Sequence, residues 1–192
     1  MIRRTSAALA ALVAIGVGFA APGVKASDAT DGIDIRMSIA AVESARPTGL
    51  PDFRVTIENT GDKDFMVNLG FMLANGKVMV PEAIRLVLTD AQGESRVYRR
   101  KGLWVGGRMD DFVVPLAAGS RYGLRLNLDD YVTGDAMESA LKLKPGEYRI
   151  RAELDAKGAQ CLNNDTEGMA LMNHWIGKLE SDAVAFRIAT PK

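Results

Sequence analysis

Apolar and polar residues alternate along most of this chain, and the period is two. Ile33, Ile35, Met37 and Ile39 share one face, with Asp34, Arg36 and Ser38 on the other. The pattern returns at Phe53, Val55 and Ile57, at Phe65, Val67 and Leu69, and at Ile84, Leu86 and Leu88. Phe112 and Val114 make a short run. Tyr122, Leu124, Leu126 and Leu128 make a long one, opposed by Arg121, Arg125 and Asn127. Tyr148, Ile150, Ala152 and Leu154 oppose Arg149, Arg151 and Glu153, and Val184, Phe186 and Ile188 close the series. Period-two alternation puts the apolar side chains of a strand on one face. Strands with one wet and one dry face belong to antiparallel sheets packed on one side.

Turn residues separate these runs. Asn75-Gly76 is the strongest hairpin signal, because its turn needs positive φ at both central positions. Asp90-Ala91-Gln92-Gly93, Ala118-Gly119 and Pro145-Gly146-Glu147 also read as turns. The stretch "ENTGDKDFMVNLG", residues 58–70, carries Asn59, Gly61 and Asp62 between two alternating runs. It is expected to set the register in which those two strands pair. Pro81 and Pro115 fall at strand ends or edges, where a missing donor is tolerable. Strand spacing suits a sandwich of two sheets. No internal repeat, low-complexity tract or linker interrupts the chain, which predicts one domain.

Two stretches depart from the alternation. Asp129 to Ala140 is acidic and rich in small residues, and predicts one helical turn. Ala156 to Gly177 reads "AKGAQCLNNDTEGMALMNHWIG" and is a long insertion near the C-terminus, with a short helix expected over Glu167 to Asn173. Long loops in compact domains are often functional. This one holds the single cysteine, Cys161, and the single histidine, His174, beside Trp175.

The N-terminus speaks for the compartment. Arg3 and Arg4 precede an uncharged apolar run from Ala7 to Ala21, and Val24-Lys25-Ala26 follows. This order predicts a secretory signal peptide over 1–26, cleaved after Ala26. The apolar run falls short of the roughly 20 residues of a spanning helix. The mature domain, 27–192, is expected to be periplasmic or secreted, with no stable membrane span. The full chain has 24 basic and 24 acidic residues, and loss of Arg3, Arg4 and Lys25 leaves 21 basic against 24 acidic. That balance provides no strong field to gather nucleic acid. The basic cluster of Arg96, Arg99, Arg100, Lys101 and Arg108 reads as a solvated strand end. With one cysteine, no internal disulfide forms, and packing alone must hold the core.

Little catalytic chemistry is legible. A hydrolytic triad needs a base beside its nucleophile, and His174 is the only imidazole, with no Gly-x-Ser-x-Gly elbow. Zinc wants three or four ligands of suitable type. Cu(I) accepts thiolate and thioether, so the metal candidates are Cys161, Met169, Met172 and His174; methionines packing the insertion explain the same residues. The pairs Asp110-Asp111 and Asp129-Asp130 are strand neighbours pointing to opposite faces, which does not make an acid/base couple. Asn163, Asn164, Asp165 and Glu167 are dense in oxygen but lack EF-hand spacing. Trp104 and Trp175 are candidate interaction residues, since tryptophan is frequent in binding hot spots; each also suits a core.

"LKPGEYRIRAEL", residues 143–154, resembles the turn and following strand of secreted bacterial immunoglobulin-like sandwiches, in which a tyrosine anchors the corner through its hydroxyl. Ile150 stands where the second immunoglobulin cysteine would fall. "FRVTIENTGDKDF", "LTDAQGESRVYR" and "LKPGEYRIRAEL" are similar, in order, to the Bacillus intracellular proteinase inhibitor-like domain family, which implies a sandwich and an inhibitory role. The predicted fold class is therefore all-β, a single antiparallel Ig-like β-sandwich with one long insertion near the C-terminus. The expected function is a non-enzymatic binding or structural module of the bacterial envelope, without cofactor, with a protein or other envelope partner. The alternatives are a protease inhibitor and a metal- or thiol-dependent protein using the 156–177 loop.

Overall fold

The computed structural model describes residues 34–42, 50–102, 107–133, 141, 143–158 and 173–189. The predicted signal segment with Ala26 lies outside them. The strands are β1 (Ile35–Val42), β2 (Asp52–Asn59), β3 (Phe65–Leu73), β4 (Val78–Val80), β5 (Ile84–Asp90), β6 (Ser95–Arg100), β7 (Met109–Leu116), β8 (Arg121–Asn127), β9 (Tyr131–Thr133), β10 (Gly146–Ala156), β11 (Gly177–Glu180) and β12 (Val184–Ile188). A 3-10 turn, Leu128–Asp130, joins β8 to β9.

These strands pair antiparallel in three sheets, ordered β1-β2-β8, β4-β3-β7 and β11-β10-β5-β6-β9, with β12 also on β10. The dry faces predicted from alternation meet in one core. Met37, Phe53, Val55, Ile57, Val67, Leu86, Ile150 and Leu154 all lie at its centre. Several small antiparallel sheets around a shared apolar centre is thus the architecture.

The turn chemistry acts as expected at two places. Asn75 and Gly76 have φ of 57° and 81° and close the β3–β4 hairpin. The Tyr148 hydroxyl donates to the Lys144 carbonyl at 2.9 Å, anchoring the corner that opens β10.

The corner at 58–70 works differently from its prediction. β2 pairs with β1 and β8, whereas β3 pairs with β4 and β7, so the two runs never pair. The reason lies in Asn59, which is fully buried. Its Nδ2 donates to the carbonyls of Lys63 at 2.9 Å and Leu116 at 3.0 Å, and its Oδ1 accepts from the Gly61 amide. The side chain ties the end of β2 to the end of β7 and steers the chain from one sheet to another. Asn59→Ala should therefore cost about 2 kcal/mol, because the Leu116 carbonyl loses its buried donor. A urea midpoint unchanged from the parent protein would refute that role.

Four strands carry no alternation signal. β6 buries only Tyr98, β4 only Val80, and β9 and β11 span three and four residues. β4, β9 and β11 are short strands at sheet borders and β6 lies between β5 and β9, and all four owe their existence to pairing rather than pattern.

Candidate functional site

β7 and β8 are joined by the tight turn after Leu116, closed by the Ser120 amide donating to the Ala117 carbonyl at 2.9 Å. Yet they belong to different sheets, so they part beyond the turn. A groove of about 260 Å³ is lined by Phe112 of β7, Tyr122 to Leu126 of β8, Met79 and Pro81 at β4, and Arg100 with Asp130. Phe112 and Tyr122 meet edge-to-face, with ring centroids 6.4 Å apart.

Consecutive strand residues point to opposite faces. An unbroken run from Tyr122 to Leu126 can line one groove only if the edge of β8 faces it. The register agrees. Asn59 N–H donates to Ser120 O, so by alternation the main chains of residues 122, 124 and 126 serve β2. Gly123 then turns its N–H and C=O outward, with no Cβ to shield them. The facing edge of β7 is guarded. Both main-chain groups of Met66 bond to Asn173 and Trp175, so its partner across the ladder, Pro115, points its nitrogen away from β3. A proline there loses no ladder bond.

Charge is held at the groove's ends. Arg100 Nη1 lies 2.5 Å from Asp130 Oδ2. Arg125 reaches the buried Asp52 carboxylate at 2.6 Å, and the Asn127 side chain donates to the same carboxylate at 2.8 Å. Asp52 and Asn127 are buried while Arg125 stays half exposed, so removing Arg125 would strand a buried carboxylate with Asn127 as its one remaining side-chain donor among the described residues. The sequence cluster of Arg96 to Arg108 divides accordingly. Arg96 is an exposed partner of Glu94, whereas Arg100 is mostly buried and lines the groove.

Tyr131 stands across the ladder from Arg100, and its buried hydroxyl has no hydrogen-bond partner. Burial pushes this hydroxyl well above the ordinary tyrosine value, and Arg100 opposes the push only in part. A raised folded value means that the unfolded chain ionises first. The associated stability is complete below the ordinary value of 10.0 and is lost as pH rises above it. Tyr131→Phe should leave neutral-pH stability unchanged or raise it by about 1 kcal/mol, since it removes an unpaired buried hydroxyl. It should also blunt alkaline unfolding above pH 10.0. Thermal melts across pH would refute this if the variant lost stability at neutral pH.

The residues singled out in the insertion fare unequally. Cys161, Met169 and Met172 lie outside the described residues, as does Trp104. Asn173 to Trp175 run along the edge of β3, where Met66 N–H donates to Asn173 O at 2.8 Å and Trp175 N–H to Met66 O at 2.7 Å. Trp175 is 4% exposed and belongs to the core. Gly177 accommodates its ring, since a Cβ at that position would sit 2.9 Å from it. Both ring nitrogens of His174 are buried without a partner. Among the described residues, no three His, Cys, Asp or Glu side chains are placed to share a metal ion. Asp110 pairs with Arg108 and Asp111 accepts from Asn68, consistent with opposite faces. No helix among the described residues is long and apolar enough to cross a membrane.

The fold and groove together define an all-β protein of several small antiparallel sheets with one partly open side. No family model matches the chain, and no curated protein matches it. Solved structures similar to the chain include two structural-genomics targets. The putative ApaA protein from Bordetella pertussis shares 16% identity at a TM-score of 0.32, covering 84% of this chain and 97% of its own. The structural-genomics target SoR45 shares 14% at a TM-score of 0.30, covering 83% of this chain and 88% of its own.

Proposed function

We propose that this chain is an exported, non-enzymatic binding module of a bacterial envelope, built as an immunoglobulin-like sandwich, and that it holds an extended segment of a protein partner along β8. The observation that carries this reading is the edge of β8 facing a groove with an aromatic wall and charged ends, with Gly123 turning its main chain outward. A peptide laid on such an edge gains main-chain hydrogen bonds, and alternate side chains find pockets. Here the pocket wall is Phe112 with Tyr122, and the Pro115 edge opposite accepts less. Gly123→Pro removes the outward donor without touching the ladder to β2. Partner captured from envelope extract should slow hydrogen exchange at the Gly123 amide, and Gly123→Pro should abolish capture while leaving the melting curve near that of the parent. Capture that persists in the variant would reject the β8 edge.

One observation favours the metal- or thiol-dependent alternative. An imidazole with both nitrogens buried and unpartnered, as in His174, is costly unless something else satisfies it. Chelator competition for Cu(I), with His174→Gln as the control, decides it.

A further inference from the structure

The outward face of the β1-β2-β8 sheet is built in rows. The register places Arg36, Glu58 and Arg121 side by side, then Ser38, Thr56 and Gly123, then Ala40, Arg54 and Arg125. The middle row is small. It forms the floor of a trough crossing all three strands, with guanidiniums on both banks. The banks are four residues apart, or about 13 Å at strand rise. The Arg54 stem leans diagonally over the floor, 3.8 Å from where a Cβ of Gly123 would stand.

Arg36, Arg54 and Arg121 are exposed. None of the ion pairs among the described residues uses them, whereas Arg125 is held by Asp52. Glu58 is the one acid between the two arginines of its row. The adjoining rows add Asp34 and the Arg125-paired Asp52, so Arg36, Arg54, Arg121 and Arg125 are set against Glu58, Asp34 and Asp52, and the positive charge left over lies on the exposed guanidiniums of the two banks.

We infer that this face binds an acidic polysaccharide lying across the strands. Planar guanidiniums on both banks suit carboxylate or sulfate groups, which they bind in a two-pronged geometry. The Ser38 and Thr56 hydroxyls on the floor suit sugar hydroxyls. Other polyanions fit less well. The rows contain no aromatic or large apolar side chain, so single-stranded nucleic acid has no stacking platform. A bilayer has nothing to draw in, and a protein partner has no central anchor. The surface shares Gly123 and Arg125 with the β8 groove, whereas Arg36, Arg54 and Arg121 do not line that groove, so variants at these three arginines test this face alone.

The test uses the full chain and polygalacturonate, with dextran, a single-stranded oligonucleotide and phosphatidylglycerol vesicles as comparisons. Polygalacturonate should bind at low salt and weaken as salt rises, because the exposed charges are screened. Dextran should not bind. The combined variant Arg36→Gln, Arg54→Gln and Arg121→Gln should bind at least tenfold more weakly. Arg36→Gln alone should lose roughly threefold and Glu58→Gln should gain roughly threefold, as expected for single surface charges. These single variants decide the matter should the combined variant fail to fold. No binding of polygalacturonate, or an affinity indifferent to Arg36 and Glu58, overturns the inference. Equal binding of the oligonucleotide or the vesicles overturns the assignment to polysaccharide.

Discussion

Gly70→Ala is expected to cost at least about 3 kcal/mol of stability, the size of effect reserved for strained backbone sites and steric overlap. Gly70 has φ of 140°, where a side chain is strained in any surroundings. A Cβ would lie 2.2 Å from the Val80 carbonyl oxygen and 2.6 Å from the Glu82 nitrogen. Both obstacles are backbone, so no rotamer change relieves them. The position is also where the β3–β7 register slips between Asn68 and Phe71, a β-bulge. Asn68 braces it by accepting from the Gly70 amide and donating to Asp111 at 3.0 Å and to the Gly158 carbonyl at 2.7 Å. Urea unfolding of the variant should show a much lower midpoint at unchanged slope. A loss under about 1 kcal/mol would mean that the 80–82 corner yields easily.

Phe53→Ala should lose about 3 to 5 kcal/mol, the range for emptying a buried aromatic site. Phe53 is fully buried on β2. Its ring meets Phe186 of β12 edge-on, with centroids 5.2 Å apart, and Phe186 stacks on Tyr148 of β10 at 5.5 Å. The row therefore fastens the β1-β2-β8 sheet to the one built on β10. Tyr148→Phe keeps both rings and loses only the bond to Lys144, so it should cost about 1 kcal/mol. Equal losses in the two variants would place the stability in the corner hydrogen bond instead of the ring row.

Alternation was legible wherever a strand buries one face against the core, as at Ile35, Met37 and Ile39 or at Ile150, Ala152 and Leu154. It said nothing of β6, whose arginines and serine surround a single buried tyrosine. The Asn59 corner shows a second kind of limit. Turn residues announce that the chain bends, but the destination depends on Leu116, far along the chain. The groove was illegible for a related reason. Which edge of β8 stays open depends on where β2 and β7 lie, and no local pattern contains that. Gly123 carried no signal, and Arg100 read as solvated, because their neighbours are distant in sequence. Cys161, Met169 and Met172 drew attention as rare or ligand-like residues, a signal of chemistry with no information about placement.

β10 is bordered by β5 on one side and by both β11 and β12 on the other. Those neighbours come from residues 84–90 and 177–188, so the centre of the largest sheet is laid down late in synthesis. Until it arrives, Leu86 and Leu88 have no partner on that side of β5. Such distant pairings must meet the cost of loop closure before any contact rewards them. Folding should accordingly be slow, on the scale of milliseconds to seconds common for folds dominated by non-local strand pairing, and a nascent chain ending before Gly146 has no route to the native core.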